Sequence, residues 1–107
     1  MEIREYLKDH ILIFDGAMGT MLQKRGLKLG ENPEVINFTD ENIVIDIHKE
    51  YIKEGADIIT TNTFGANEIK LKNTLYSVEE VITKAVSLAK KAIADEEVLI
   101  ALDIGPL

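Results

Sequence analysis

Ala56-Asp57-Ile58-Ile59-Thr60-Thr61-Asn62 is the stretch that decides the fold. It is rich in β-branched residues and closes on a polar residue, the pattern of a buried strand with a polar end. Upstream, Ile43, Ile47, Tyr51 and Ile52 fall on one face at helical spacing, which predicts a helix over residues 40–54. Thr39 or Asp40 can cap it, and Gly55 can end it in the left-handed conformation. Downstream, Ser77-Val78-Glu79-Glu80 reads as a capping box, with Glu80 reaching back to the Ser77 amide. Val78, Val81, Ile82, Ala85, Ala89, Ala92 and Ile93 then form an apolar stripe running to about Asp95.

Two further segments read as strands. Ile11-Leu12-Ile13-Phe14 is a continuous apolar run ending at Asp15-Gly16. Val98-Leu99-Ile100-Ala101-Leu102 ends at Asp103, ahead of Gly105-Pro106. Continuous apolar runs suit strands covered on both faces, as in parallel sheets. Shorter helices are expected over residues 66–71 and after Gly19, through Leu22 and Gln23. Residues 26–33 read as a long turn. The order is helix, β, α, β, α, β, which means βαβ units and a parallel sheet. The second strand, near Ile58, should lie between the first, near Leu12, and the third, near Ile100. A parallel α/β domain would continue with a helix after the third strand, so residues 1–107 read as the first part of a larger domain.

Composition narrows the function. The 107 residues are 46% hydrophobic and 29% charged, an ordinary globular balance. No run of about 18 apolar residues occurs, so no membrane span is expected. The start, Met1-Glu2-Ile3-Arg4-Glu5-Tyr6, lacks the apolar core of a signal peptide. A formal net charge of −7 opposes nucleic-acid binding, because an acidic field repels polyanions. With no cysteine, disulfides and thiolate metal sites within the chain are excluded, and a cytoplasmic location is the expectation. His10 and His48 have no partner at metal spacing and read as surface or boundary residues.

The polar residues gather at one end of the expected sheet. Asp15, Asn62 and Asp103 each stand just past the C-terminal end of a strand, the edge where α/β folds bind ligands. In Asp15-Gly16-Ala17-Met18-Gly19-Thr20, a carboxylate can hold an amine while turn amides receive a carboxylate, together a clamp for an α-amino acid. The plainer alternative is an Asp that caps a helix. Thr61, Asn62, Thr63 and Phe64 can orient a ligand and wall its pocket, or they can satisfy strand-end backbone groups and cap the next helix. Asp103 can be a ligand group or a turn former before Gly105-Pro106.

These residues carry a resemblance. The run from Phe14 to Thr20, the run Ile47 to Asn67 with its Thr61-Asn62-Thr63-Phe64-Gly65-Ala66-Asn67 phrase, and Asp103-Ile104-Gly105-Pro106 resemble homocysteine S-methyltransferases. The phrasing is most similar to the cobalamin-dependent methionine synthase type. The resemblance implies an α/β fold, the first three β/α units of a (β/α)8 TIM barrel with parallel strands, out of the ~250 residues or more that a whole barrel takes. It implies homocysteine held at the barrel mouth as a zinc-bound thiolate that takes a methyl group from methylcobalamin in another module. Asp15 would receive the homocysteine amine and the amides from Gly16 through Ala17 to Met18 its carboxylate. Asn62, Thr63 and Phe64 would stand at the mouth, with Asp103 a further candidate. The family's zinc ligands are cysteines from late strands, so none is expected on this chain. By itself the chain should be inactive, and it should pair with the rest of the barrel, with cobalamin and folate modules, or with another copy of itself.

Two other readings compete with an enzyme segment. One is a standalone α/β binding or interaction module derived from such a barrel. The other is a phosphate site on Gly16 to Thr20, which lacks a cation closer than Lys24 and Arg25.

Overall fold

The computed structural model describes residues 2–28 and 30–105. Pro106, which closes the Asp103 motif, lies outside the described residues, as do Met1, Leu29 and Leu107. The central strand β1, Ile58–Thr60, forms where β-branched residues predict it, with Ile58 and Ile59 buried. Strand β2, Leu99–Ala101, pairs with it in parallel, setting Ile58 opposite Leu99, Ile59 opposite Ile100 and Thr60 opposite Ala101.

The expected first strand is reduced to a single parallel bridge, Phe14 to Ile58. Its order is as predicted, alongside β1 on the side away from β2, but its length is not. The backbone makes one rung, with Ile58 N–H donating to Ile13 O at 3.2 Å and Asp15 N–H to Ile58 O at 2.9 Å. Carboxylates take over at both ends. Asp57 Oδ2 accepts the Ile13 amide at 2.9 Å, and Asp15 Oδ2 accepts the Thr60 amide at 3.0 Å. Side-chain oxygens thus stand where backbone carbonyls would extend the ladder. In place of the three strands expected, the described residues hold two paired strands and this bridge.

Helices supply the other layer. In chain order they are α1 Ile3–Asp9, α2 Met18–Lys24, a 3-10 turn Pro33–Val35, α3 Ile36–Thr39, α4 Glu41–Lys53 and α5 Val78–Ile93. The α5 capping box is present in both directions: Glu80 N–H donates to Ser77 Oγ, and Ser77 N–H donates to Glu80 Oε1, each at 3.1 Å. Gly55 ends α4 at φ +106°, a conformation that L side chains rarely adopt. Asp40 sits at the α4 N-cap position without a side-chain cap bond. Residues 66–71 are turns, not a helix. Asn67 caps one turn by accepting the Lys70 amide, and Ile69 stays 75% exposed, so no apolar face is buried to extend it. The stretch 33–39, read partly as loop, holds two short helical turns.

Leu88 joins the layers. Fully buried, it packs from α5 into a cluster with Met18 and Leu22 of α2 and Val44 and Ile47 of α4. Burying a side chain of this kind contributes about 1.5–3 kcal/mol. A second cluster sets Ala89 and Ile93 of α5 against Ala56 and Ile59. The α4 stripe is rotated from the expected one. Val44, Ile47 and His48 form its buried line, so His48 is a core residue and not a boundary one. Neither ring nitrogen has a hydrogen-bond partner among the described residues, and burial pulls its pKa down to about 4. At the start of the chain, Tyr6 donates its hydroxyl to Asp57 Oδ1 at 3.1 Å, which ties α1 to the entry of β1.

Candidate functional site

Asp15 is held at the strand ends by a single neighbour. Its Oδ2 accepts the Thr60 amide at 3.0 Å and its Oδ1 accepts the Thr60 hydroxyl at 3.1 Å. It does not cap α2, whose N-cap residue is Ala17, with no side-chain bond. The capping alternative is thereby set aside. Desolvation raises the Asp15 pKa, the two Thr60 bonds oppose the rise, and the charge of Asp103 adds to it. Each Asp15 oxygen keeps a second lone pair for another donor.

The turn that follows carries the amides. Gly16, Ala17 and the first residues of α2 make no backbone hydrogen bond as donors among the described residues, as expected at a helix start. Tyr51 of α4 supports the turn from below, donating its hydroxyl to Ala17 O at 3.3 Å. A Cβ at Gly16 would meet the Tyr51 hydroxyl oxygen at 2.7 Å, so the close approach requires glycine. Burial, with the charges of Asp15 and Glu50, pushes the Tyr51 phenol up and keeps it a neutral donor.

Beyond β1, the threonines bind the neighbouring strand end. Thr61 and Thr63 share a hydrogen bond at 2.7 Å, Thr63 donates to Asp103 O at 2.6 Å, and the Asp103 amide donates to Thr61 Oγ1 at 3.2 Å. Asn62 is equally committed. Its Nδ2 donates to Pro33 O at 2.8 Å and to Asn37 Oδ1 at 3.1 Å, while Asn37 Nδ2 donates back to Asn62 O at 3.0 Å. Thr61 and Thr63 thus satisfy strand-end backbone, part of the second role open to them on sequence, while Asn62 ties the strand end to Pro33 and Asn37.

A cleft of about 580 Å³ opens over this floor. Of the sequence-predicted residues, Ala17, Met18, Asn62, Phe64 and Asp103 line it. Asp15, Gly16 and the buried Thr63 are not among its lining residues. Phe64 is half exposed, with the Lys70 ammonium 5.2 Å from its ring centroid. A more open groove of about 720 Å³ beside the start of α5, lined by Leu71, Tyr76 and Ile82, holds none of the strand-end residues.

Three contributors were not singled out from sequence: Glu34, Asn37 and Tyr51. Glu34 is a carboxylate only 3% exposed, lining the cleft and accepting the Gly65 amide. Asn32-Pro33 before it is a helix-start signature, since Asn32 Oδ1 accepts the Glu34 amide at 3.1 Å and Pro33 has no N–H that needs an acceptor. That signal was available; the reach of Glu34 across to Gly65 was not. The residues present do not form a metal site. The chain has no cysteine, and among the described residues no group of three or more His, Cys, Asp or Glu could hold a metal ion.

The chain is similar to the homocysteine methyltransferase MmuM from Escherichia coli. Against the metallated form it is 24% identical with a TM-score of 0.83, covering 97% of this chain and 41% of that one. The oxidised form gives 26%, 0.84, 97% and 40%, and the apo form 27%, 0.67, 94% and 38%. The chain thus spans about two fifths of the length of these structures. A model of the homocysteine S-methyltransferase family matches residues 12–107, nearly the whole sequence, and the chain belongs to that family.

Proposed function

We propose that residues 1–107 form the opening segment, the first three β/α units, of a homocysteine S-methyltransferase barrel, and that they hold the amino-acid end of homocysteine. The observation that carries this reading is Asp15: a half-buried carboxylate, fixed by Thr60, beside a turn whose amides have no acceptor among the described residues. An ammonium group on Asp15 would relieve both its desolvation and its repulsion from Asp103. The substrate carboxylate would then meet the amides from Gly16 to Met18, and Phe64 would cover the chain of the ligand. Asn62 and Thr63 act from beneath, by fixing the floor.

These residues bind and orient; none is placed to transfer a methyl group. Zinc, which the family resemblance implies, does not fit the donors on this chain, which has no thiol. In this proposal the zinc ligands and the methylcobalamin donor of a methionine synthase type enzyme belong to the remainder of the protein. Calorimetry on the full-length protein tests the clamp. Asp15→Ala should weaken homocysteine binding by about 1.5–3 kcal/mol while zinc content stays the same. Unchanged affinity would remove Asp15 from the site.

A further inference from the structure

Glu34 is a carboxylate in a place where carboxylates are rarely found. It is 3% exposed, and among the described residues its carboxylate has no cationic partner and accepts no hydrogen bond besides the one from Gly65 N–H. A buried carboxyl group of this kind is retained only where something fixes it or needs it. Here its surroundings are built around it. Asn32 Oδ1 caps its amide at 3.1 Å, and Pro33 sets the turn that aims it at the loop after β1. At Gly65 an added Cβ would meet Glu34 Oε1 at 2.7 Å and both the carboxyl carbon and Oε2 at 3.1 Å, so the carboxylate lies flat on bare backbone.

The neighbours of Glu34 grip the same loop. Pro33 O and Asn37 Oδ1 both accept from Asn62 Nδ2, and Asn37 returns a bond to Asn62 O. The loop is thus pinned at Asn62 and again at Gly65. Between the pins stands Phe64, half exposed on the cleft wall, whose own O accepts the Gly105 amide at 3.1 Å. We infer that Glu34 is a positioning residue: through the Gly65 amide it sets the Asn62–Phe64 wall of the cleft and thereby the affinity for the ligand held there. The identity of that ligand as homocysteine rests on the function proposed above; the anchoring of the loop does not.

The experiment uses the full-length protein and two readouts. Hydrogen exchange at the Gly65 amide reports the anchor, and calorimetry with homocysteine reports the site. Glu34→Ala should remove the Gly65 protection and weaken homocysteine binding by about tenfold or more, the effect of losing a charged acceptor. Glu34→Gln keeps an oxygen acceptor and should restore most of both. Gly65→Ala alone should reproduce the loss by pushing the carboxylate aside. Combined with Glu34→Ala it should add little, because the obstacle is gone. If Glu34→Ala fails to fold, Glu34→Gln and Gly65→Ala still decide. Preserved affinity in a folded Glu34→Ala or Gly65→Ala protein, additive losses in the double variant, or no rescue by Gln each overturns the positioning role. A wild-type protein that binds no homocysteine overturns the proposed function instead, and the exchange data then still judge the anchor.

Discussion

Asp15 accepts both the amide and the hydroxyl of Thr60, one on each carboxylate oxygen, at 3.0 and 3.1 Å. The carboxylate therefore serves as the last rung between the first segment and β1, and it ends that ladder at the edge where the cleft begins. A group that closes a sheet and, in the proposed function, also holds a ligand amine has two roles that substitution can separate.

Asp15→Asn keeps an oxygen for Thr60 and loses the charge. The folded pKa of Asp15 is raised, chiefly by desolvation. A raised carboxyl favours the fold below the unfolded value and loses that contribution as pH rises through the raised one, so at neutral pH the ionised group carries a penalty. The Asn variant should then be as stable as the wild type or more so at pH 7, while binding homocysteine more weakly. In the wild type, affinity should fall on acidification at a pH above the ordinary Asp range. Urea midpoints and calorimetric titrations from pH 4 to 8 check both; a destabilised Asn variant would mean that burial does not dominate at Asp15.

His48 should make the fold sensitive to acid. Its folded pKa is about 4, against 6.5 for an unperturbed ring. Between these values the unfolded chain binds the extra proton. Stability is thus at its full value above about 6.5 and declines by about 3 kcal/mol as pH falls toward 4. His48→Leu should flatten this limb and leave stability at pH 7.5 nearly unchanged, since both ring nitrogens are already unpartnered. Equal acid sensitivity in the two proteins would assign the limb to other groups.

Ser77 supplies the reciprocal cap of α5, the helix that carries Leu88 into the core. Ser77→Ala should lower stability by about 1 kcal/mol, read from the shift in denaturant midpoint with an unchanged slope. A shift within error would mean that tertiary packing alone fixes this end.

The outer edges bear on assembly. Ile11, Ile13 and Phe14 are 84%, 54% and 58% exposed on one side of β1, and Leu102 and Ile104 are 47% and 77% exposed past β2. Open backbone beside apolar side chains favours pairing with a further strand or copy. The 107-residue chain purified by itself should sediment as a dimer or larger at micromolar concentration and bind no stoichiometric zinc. A monomer with a sharp thermal transition would instead favour a standalone module.

What the sequence determined by itself is local. The Ser77–Glu80 box, the Gly55 stop, the β-branched run at Ile58 and the polar residues at three strand ends are all written within a few neighbouring positions, where period and capping are decided. The family was legible for the same reason, since its phrases are contiguous. Tertiary structure decided the rest through contacts between distant positions. It gave Asp15 to Thr60 and not to the start of α2, shortened the first strand by substituting carboxylates for carbonyls, and turned α4 so that His48 entered the core. It also laid Glu34 on Gly65. No periodicity encodes such pairs. A carboxylate takes whichever donor the packed helices and strands bring within reach, and burial then fixes that choice by making an unpaired alternative costly.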